Sequence, residues 1–205
     1  MTEPGEPGPG FVAGDVGVAC QGLSAGAPGR RAPAWPRVVF AGIGNSMRHD
    51  DGAGPAAASR AAELARARLA ASNGAPPGGR ELVTLLASPL TEPLDLLDNW
   101  QETDLAVVVD AVRSGDAPGT VTVTWLERPG DGPRPLTGNR PSTHGLGVAD
   151  VYRLAHEIGI APRRVAVVGI EGDDFSHGEG LTPAVEEGAT KAAALLLQIA
   201  EDALG

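Results

Sequence analysis

Five short apolar runs, each closed by glycine or a polar residue, alternate with stretches of helical spacing, and this alternation constrains the fold more than any other feature. Val38-Val39-Phe40-Ala41 ends at Gly42, Leu82-Val83-Thr84-Leu85-Leu86 forms a second run, and Leu105-Ala106-Val107-Val108-Val109 a third, closed by Asp110. Thr120 to Leu126 alternates β-branched residues with Trp125 and reads as a strand nearer an edge; Arg164 to Ile170 is the fifth run. Continuous apolar runs of this length suit strands buried on both faces. Between them, Pro55–Ser72, Glu92–Asn99 and Leu146–Ile158 read as helices. Thr182-Pro183 opens a last helix to Leu204, with threonine at the N-cap and proline at the first helical position. The pattern predicts an α/β three-layer sandwich: a mostly parallel, twisted five-stranded sheet flanked by helices on both faces.

Residues 1–36 are dense in Gly, Pro and Ala and lack either periodicity, so they read as a disordered tail. The folded domain is expected over 37–205, a usual domain length. Aromatic residues make up only 3% of the chain, which predicts a core of Val, Leu, Ile and Ala. A net charge of −10 opposes binding to nucleic acid or anionic membranes. Cys20 is the only cysteine, so neither an intramolecular disulfide nor a thiolate metal cluster can form. No apolar stretch reaches the roughly 18 residues of a membrane helix, and the N-terminus lacks the basic and apolar regions of a signal peptide. The expected compartment is the cytoplasm.

In such sheets, sites form where the loops after the strands converge. Those loops carry Gly42-Ile43-Gly44-Asn45 with His49-Asp50-Asp51-Gly52, then Asp110, then Thr143-His144-Gly145, and then Glu171-Gly172-Asp173-Asp174 with His177. The glycine pair invites a dinucleotide-binding reading. However, Met47 stands where the third glycine belongs, and no acid closes the second strand. Asp51, Asp110 and His144 form a better set, two carboxylates and an imidazole that leave coordination positions open on zinc, nickel, manganese or iron. Taken singly, each has a plain structural alternative: Asp51 as helix-dipole decoration, Asp110 as a turn cap, His144 as a backbone partner. Asp50 reads as a helix N-cap. His49 and His177 read as rim residues, and His156 as a solvent-facing helix residue. Gly42, Gly44 and Asn45 shape the first loop and are candidates to donate to substrate backbone.

Gly42-Ile43-Gly44-Asn45-x-Met47-x-x-Asp50-Asp51-Gly52-x-Gly54 resembles the N-terminal signature of the hydrogenase maturation proteases. So do Asp110-Ala111 followed by Pro118-Gly119-Thr120, the segment Thr143-His144-Gly145-Leu146-Gly147 with Ala149-Asp150-Val151, and Gly180-Leu181-Thr182-Pro183-x-Val185. The resemblance spans residues 38–204. It implies a cytoplasmic, monomeric endopeptidase that removes the C-terminal extension of a [NiFe]-hydrogenase large-subunit precursor after nickel insertion. It further implies that Asp51, Asp110 and His144 contact that nickel, which the precursor contributes, and that the enzyme carries no tightly bound metal of its own. Ser88-Pro89-Leu90-Thr91-Glu92-Pro93 departs from the Asp-Gly-x-Thr-like turn of many members, which leaves the hydrogenase class open. Two other readings stand beside this one: a non-proteolytic nickel-checking or assembly factor, and a self-contained metallohydrolase. No Gly-x-Ser-x-Gly elbow is present, so covalent catalysis is not expected.

Overall fold

The computed structural model describes residues 38–71, 83–85, 90–127 and 147–204. The N-terminal tail 1–36, the loop 129–143 and His144 fall outside these residues. In chain order the elements are β1 (Val38–Gly42), a 3-10 turn at His49–Gly52 leading into α1 (Ala53–Ala71), and β2 (Val83–Leu85). A second 3-10 turn at Pro93–Leu96 enters α2 (Leu97–Trp100), followed by β3 (Leu105–Val112), β4 (Val121–Leu126), α3 (Val148–Glu157), β5 (Arg164–Glu171) and α4 (Pro183–Leu204).

The strands form one mixed sheet in the order β2-β1-β3-β5-β4. β1 pairs in parallel with β2 and β3, and β3 in parallel with β5, whereas β4 runs antiparallel along β5 at the edge. Residues of β3 alternate between two cores, as the two-residue period of a strand requires. Leu105, Val107 and Val109 pack with Ala53, Ala57 and Ala61 of α1 and with Ala189, Ala192 and Leu196 of α4. Ala106 and Val108 face the opposite core, with Leu96, Trp100, Val151 and Tyr152. Each fully buried valine or leucine contributes roughly 1.5–3 kcal/mol relative to exposure. The expectation of a purely aliphatic core needs correction: Phe40, Trp100 and Tyr152 are all fully buried. The Trp100 and Tyr152 rings meet edge to face at 6.3 Å, the arrangement that ring quadrupoles favour.

Several boundaries differ from the sequence reading, and the expected helix over 92–99 is a 3-10 turn at Pro93–Leu96 followed by one α-turn, Leu97–Trp100. β3 does not close at Asp110 but continues to Val112, because β5 runs on beside it to Glu171 and keeps the backbone paired. α1 starts at Ala53, ahead of Pro55; proline fits the first helical turn, where its missing N–H leaves no bond unmade. α3 starts at Val148 rather than Leu146, and the Asp150 carboxylate accepts a bond from the N–H of Gly147 at 3.2 Å. Among the described residues no helix is long and apolar enough to cross a membrane.

Two glycines seat α1 on the strand ends. A Cβ on Gly42 would lie 2.6 Å from the Gly54 carbonyl oxygen. One on Gly54 would lie 2.2 Å from the carbonyl oxygen of Ile43 and 2.6 Å from that of Val109. The first turn of the helix therefore rests directly on the carboxyl ends of β1 and β3, and the residues just before it are held over those ends.

Candidate active site

Asp51 is in that position. It is 1% exposed, in the 3-10 turn between β1 and α1. Its Oδ2 accepts the Asn45 N–H at 3.1 Å, while its Oδ1 is buried with no hydrogen-bond partner among the described residues. Asp110, opposite Gly169 in the β3–β5 ladder, likewise has a buried Oδ1 without a partner. Burial first, and then the negative charge of Asp51, push the Asp110 carboxyl up from the usual 3.8 to about 7; a bond from the Ala111 N–H only partly opposes this. Two acids thus share a poorly solvated corner, each with an unmet oxygen. Buried oxygens that lack a donor among the described residues are costly, which makes the pair a candidate ligand set. A divalent cation between the two would satisfy both oxygens and lower the proton affinity of Asp110.

Among the described residues no group of three His, Cys, Asp or Glu side chains is placed to hold a metal. Asp51 and Asp110 are brought into electrostatic contact; His144 lies outside the described residues. Gly42 ends β1 and Gly44 and Asn45 lie in the loop that follows, and several of their polar groups are engaged within the protein. The Gly42 carbonyl accepts from the Leu90 N–H at 3.0 Å, and the Gly44 N–H donates to the Leu90 carbonyl at 2.9 Å. Gly44 has φ +137°, and a Cβ there would fall 1.9 Å from the Asp51 carbonyl oxygen, so only glycine fits. Besides holding Asp51, Asn45 accepts the Met47 N–H on its own Oδ1 at 2.9 Å. The loop is shaped around Asp51.

Asp50 is not the side-chain N-cap that its place before α1 suggests. Its carboxylate is fully buried and reaches across the fold. Oδ2 accepts the N–H groups of Asp173 and Asp174, both at 2.9 Å, and the Thr182 hydroxyl at 3.0 Å; Oδ1 accepts the Thr182 N–H at 2.7 Å. Burial alone would raise its pKa, but these donors together outweigh it and hold the carboxyl below its usual value. Sequence reasoning also passed over Glu171 as a functional or structural anchor. This acid is 3% exposed at the end of β5 and accepts the N–H and hydroxyl of Ser114 and the N–H of Gly115, at 2.7–2.9 Å. The only local signal was an acid continuing an apolar strand. His49 bonds the Gly180 carbonyl through Nδ1 at 3.1 Å, His177 is exposed, and His156 is exposed with its ring against Tyr152.

Comparison with known proteins places the chain among relatives with one shared role in their names. The family model for hydrogenase maturation protease matches residues 90–199, more than half of the 205 residues. The chain is 33% identical over 169 residues to the hydrogenase expression/formation protein HupD of Thiocapsa roseopersicina, covering 80% of this chain and 67% of that protein. It is 32% identical over 136 residues to HupM of Azotobacter chroococcum mcd 1, covering 66% of this chain but only 57% of the relative's length. In fold it is similar to the hydrogenase maturating endopeptidase HybD of E. coli, with a TM-score of 0.62 at 24% identity, covering 81% of this chain and 93% of that one. On its sequence match, the chain belongs to the hydrogenase maturation protease family.

Proposed function

We propose that this chain is the endopeptidase that removes the C-terminal extension of a nickel-loaded [NiFe]-hydrogenase large-subunit precursor, working as a cytoplasmic monomer. The observation that carries this reading is the pair of buried, unpartnered carboxylate oxygens on Asp51 and Asp110. Family membership supports the same reaction class.

In this reading nickel is part of the substrate. Two carboxylates and one imidazole, with no thiolate, make a weak site for a borderline metal on their own. Nickel already bound by the precursor needs only to have its coordination completed, by Asp51, Asp110 and His144. The precursor's ion thereby fixes the scissile bond in the cleft. Hydrolysis then needs a proton acceptor for the attacking water and a positive charge opposite the developing oxyanion. The paired carboxylates supply the first and nickel the second. Gly42, Gly44 and Asn45 serve by seating Asp51.

The test compares nickel-loaded with nickel-free precursor, with metal analysis of the purified protein alongside. The expected result is cleavage of the loaded form only, by a protein holding little stoichiometric metal. Equal cleavage of both forms overturns the metal-directed reading. Tightly bound zinc in the isolated protein would favour a self-contained metallohydrolase instead.

A further inference from the structure

Asp50 and Asp51 are neighbours with opposite bonding. Both oxygens of Asp50 are occupied, by four donors from Asp173, Asp174 and Thr182, 123 to 132 residues away in the chain. The same stretch is stitched to the 3-10 turn by its backbone. The His49 N–H donates to the Gly178 carbonyl at 2.8 Å, the Gly178 N–H to the Met47 carbonyl at 2.9 Å, and the Asp50 N–H to the Asp174 carbonyl at 2.9 Å. Arg48 adds two bonds to the Phe175 carbonyl, at 3.1 and 3.3 Å. His49 sits at φ +44°, a conformation that a non-glycine residue keeps only where its surroundings hold it there. The turn carrying Asp51 is thus held in a strained shape by the segment between β5 and α4.

We propose that Asp50 is a positioning residue for Asp51: by gathering the donors of the 173–182 segment, it fixes the turn so that the Asp51 carboxylate meets the Asn45 N–H through Oδ2 and keeps Oδ1 clear of the donors of the described residues. The catalytic consequence rests on the proteolytic reading above; the positioning itself does not. A carboxylate is needed because three of the four partners are backbone N–H groups, which can only donate, and they are divided between the two oxygens. An asparagine at 50 offers one oxygen, and its amide must turn an N–H toward at least one of those donors.

The Asn45 amide is the reporter, since it donates to the Asp51 carboxylate. In Asp50→Asn the Asn45 amide resonance should shift and its hydrogen-exchange protection should fall. Amides of the β3–β5 ladder should keep theirs. With nickel-loaded precursor, kcat should drop about tenfold to a hundredfold while KM stays near wild type. Thr182→Val, which deletes only the hydroxyl donor, should move the Asn45 resonance the same way by less, and it decides the matter if Asp50→Asn does not fold. An Asn45 resonance unmoved in folded Asp50→Asn, or in Thr182→Val where the first variant fails to fold, overturns the proposal. Should the wild type cleave no precursor, the functional reading fails, while the amide measurement still decides the role of Asp50.

Discussion

Gly42 and Gly54 meet backbone to backbone: a Cβ on the first would lie 2.6 Å from the carbonyl oxygen of the second. That contact lets the first turn of α1 settle onto the ends of β1 and β3, and it brings Asp51 over Asp110. Gly54→Ala is therefore expected to destabilise, although alanine normally stabilises a helix by about 1 kcal/mol relative to glycine. The added methyl has backbone oxygens at 2.2 and 2.6 Å to displace, and overpacking of this kind costs about 1–3 kcal/mol. Thermal melting checks the sign; an unchanged or raised midpoint would contradict the contact.

Asp110 should act against stability at neutral and alkaline pH. Its folded pKa, about 7, lies above the ordinary 3.8, so the folded state holds the proton more tightly. The cost is absent below pH 3.8, grows as the pH rises toward 7, and is full above it. Asp110→Asn should therefore melt higher than wild type at pH 8, with the difference shrinking as the pH falls below 7. A wild type more stable than this variant at pH 8 would show that the buried carboxylate has found a partner.

Glu171 has the opposite sign. Burial alone would raise its pKa, but the bonds from Ser114 and Gly115 prevail and hold it below 4.5. Its stabilising contribution is complete above that value and is lost as the pH falls through the lower, folded one. Replacing it with glutamine should cost about 1.5–3 kcal/mol at pH 7, the range for hydrogen bonds to a charged group. In denaturant titrations the gap between the two proteins should narrow at acid pH. A gap that widens there would refute the assignment.

Asp51→Ala, Asp110→Ala and His144→Ala should each abolish removal of the precursor's extension. Asp51 lies in the 3-10 turn and Asp110 in the last three residues of β3, and neither adds apolar packing, so circular dichroism should show the fold retained in these two. Wild-type processing by any one of the three variants removes that residue from the site.

Much of the local structure was legible in the chain itself. Strands buried on both faces, such as Val38–Gly42 and the first five residues of β3, must be apolar throughout, and a continuous aliphatic run records this. Thr182-Pro183 marked the start of α4 because helix entry depends on the residues next to it. Asp110 stood out as an acid directly after an apolar run, and Asp51 as an acid in the loop beyond another. What only the tertiary structure decided is how those pieces meet. The partners of Asp50 come from residues 173–182, and those of Glu171 from residues 114–115. The extension of β3 past Asp110 depends on β5, and the antiparallel edge strand on its pairing with β5. Two adjacent aspartates are chemically identical in the sequence. One became a saturated anchor and the other a carboxylate with one oxygen unpartnered among the described residues, because distant backbone N–H groups converge on the first and not on the second.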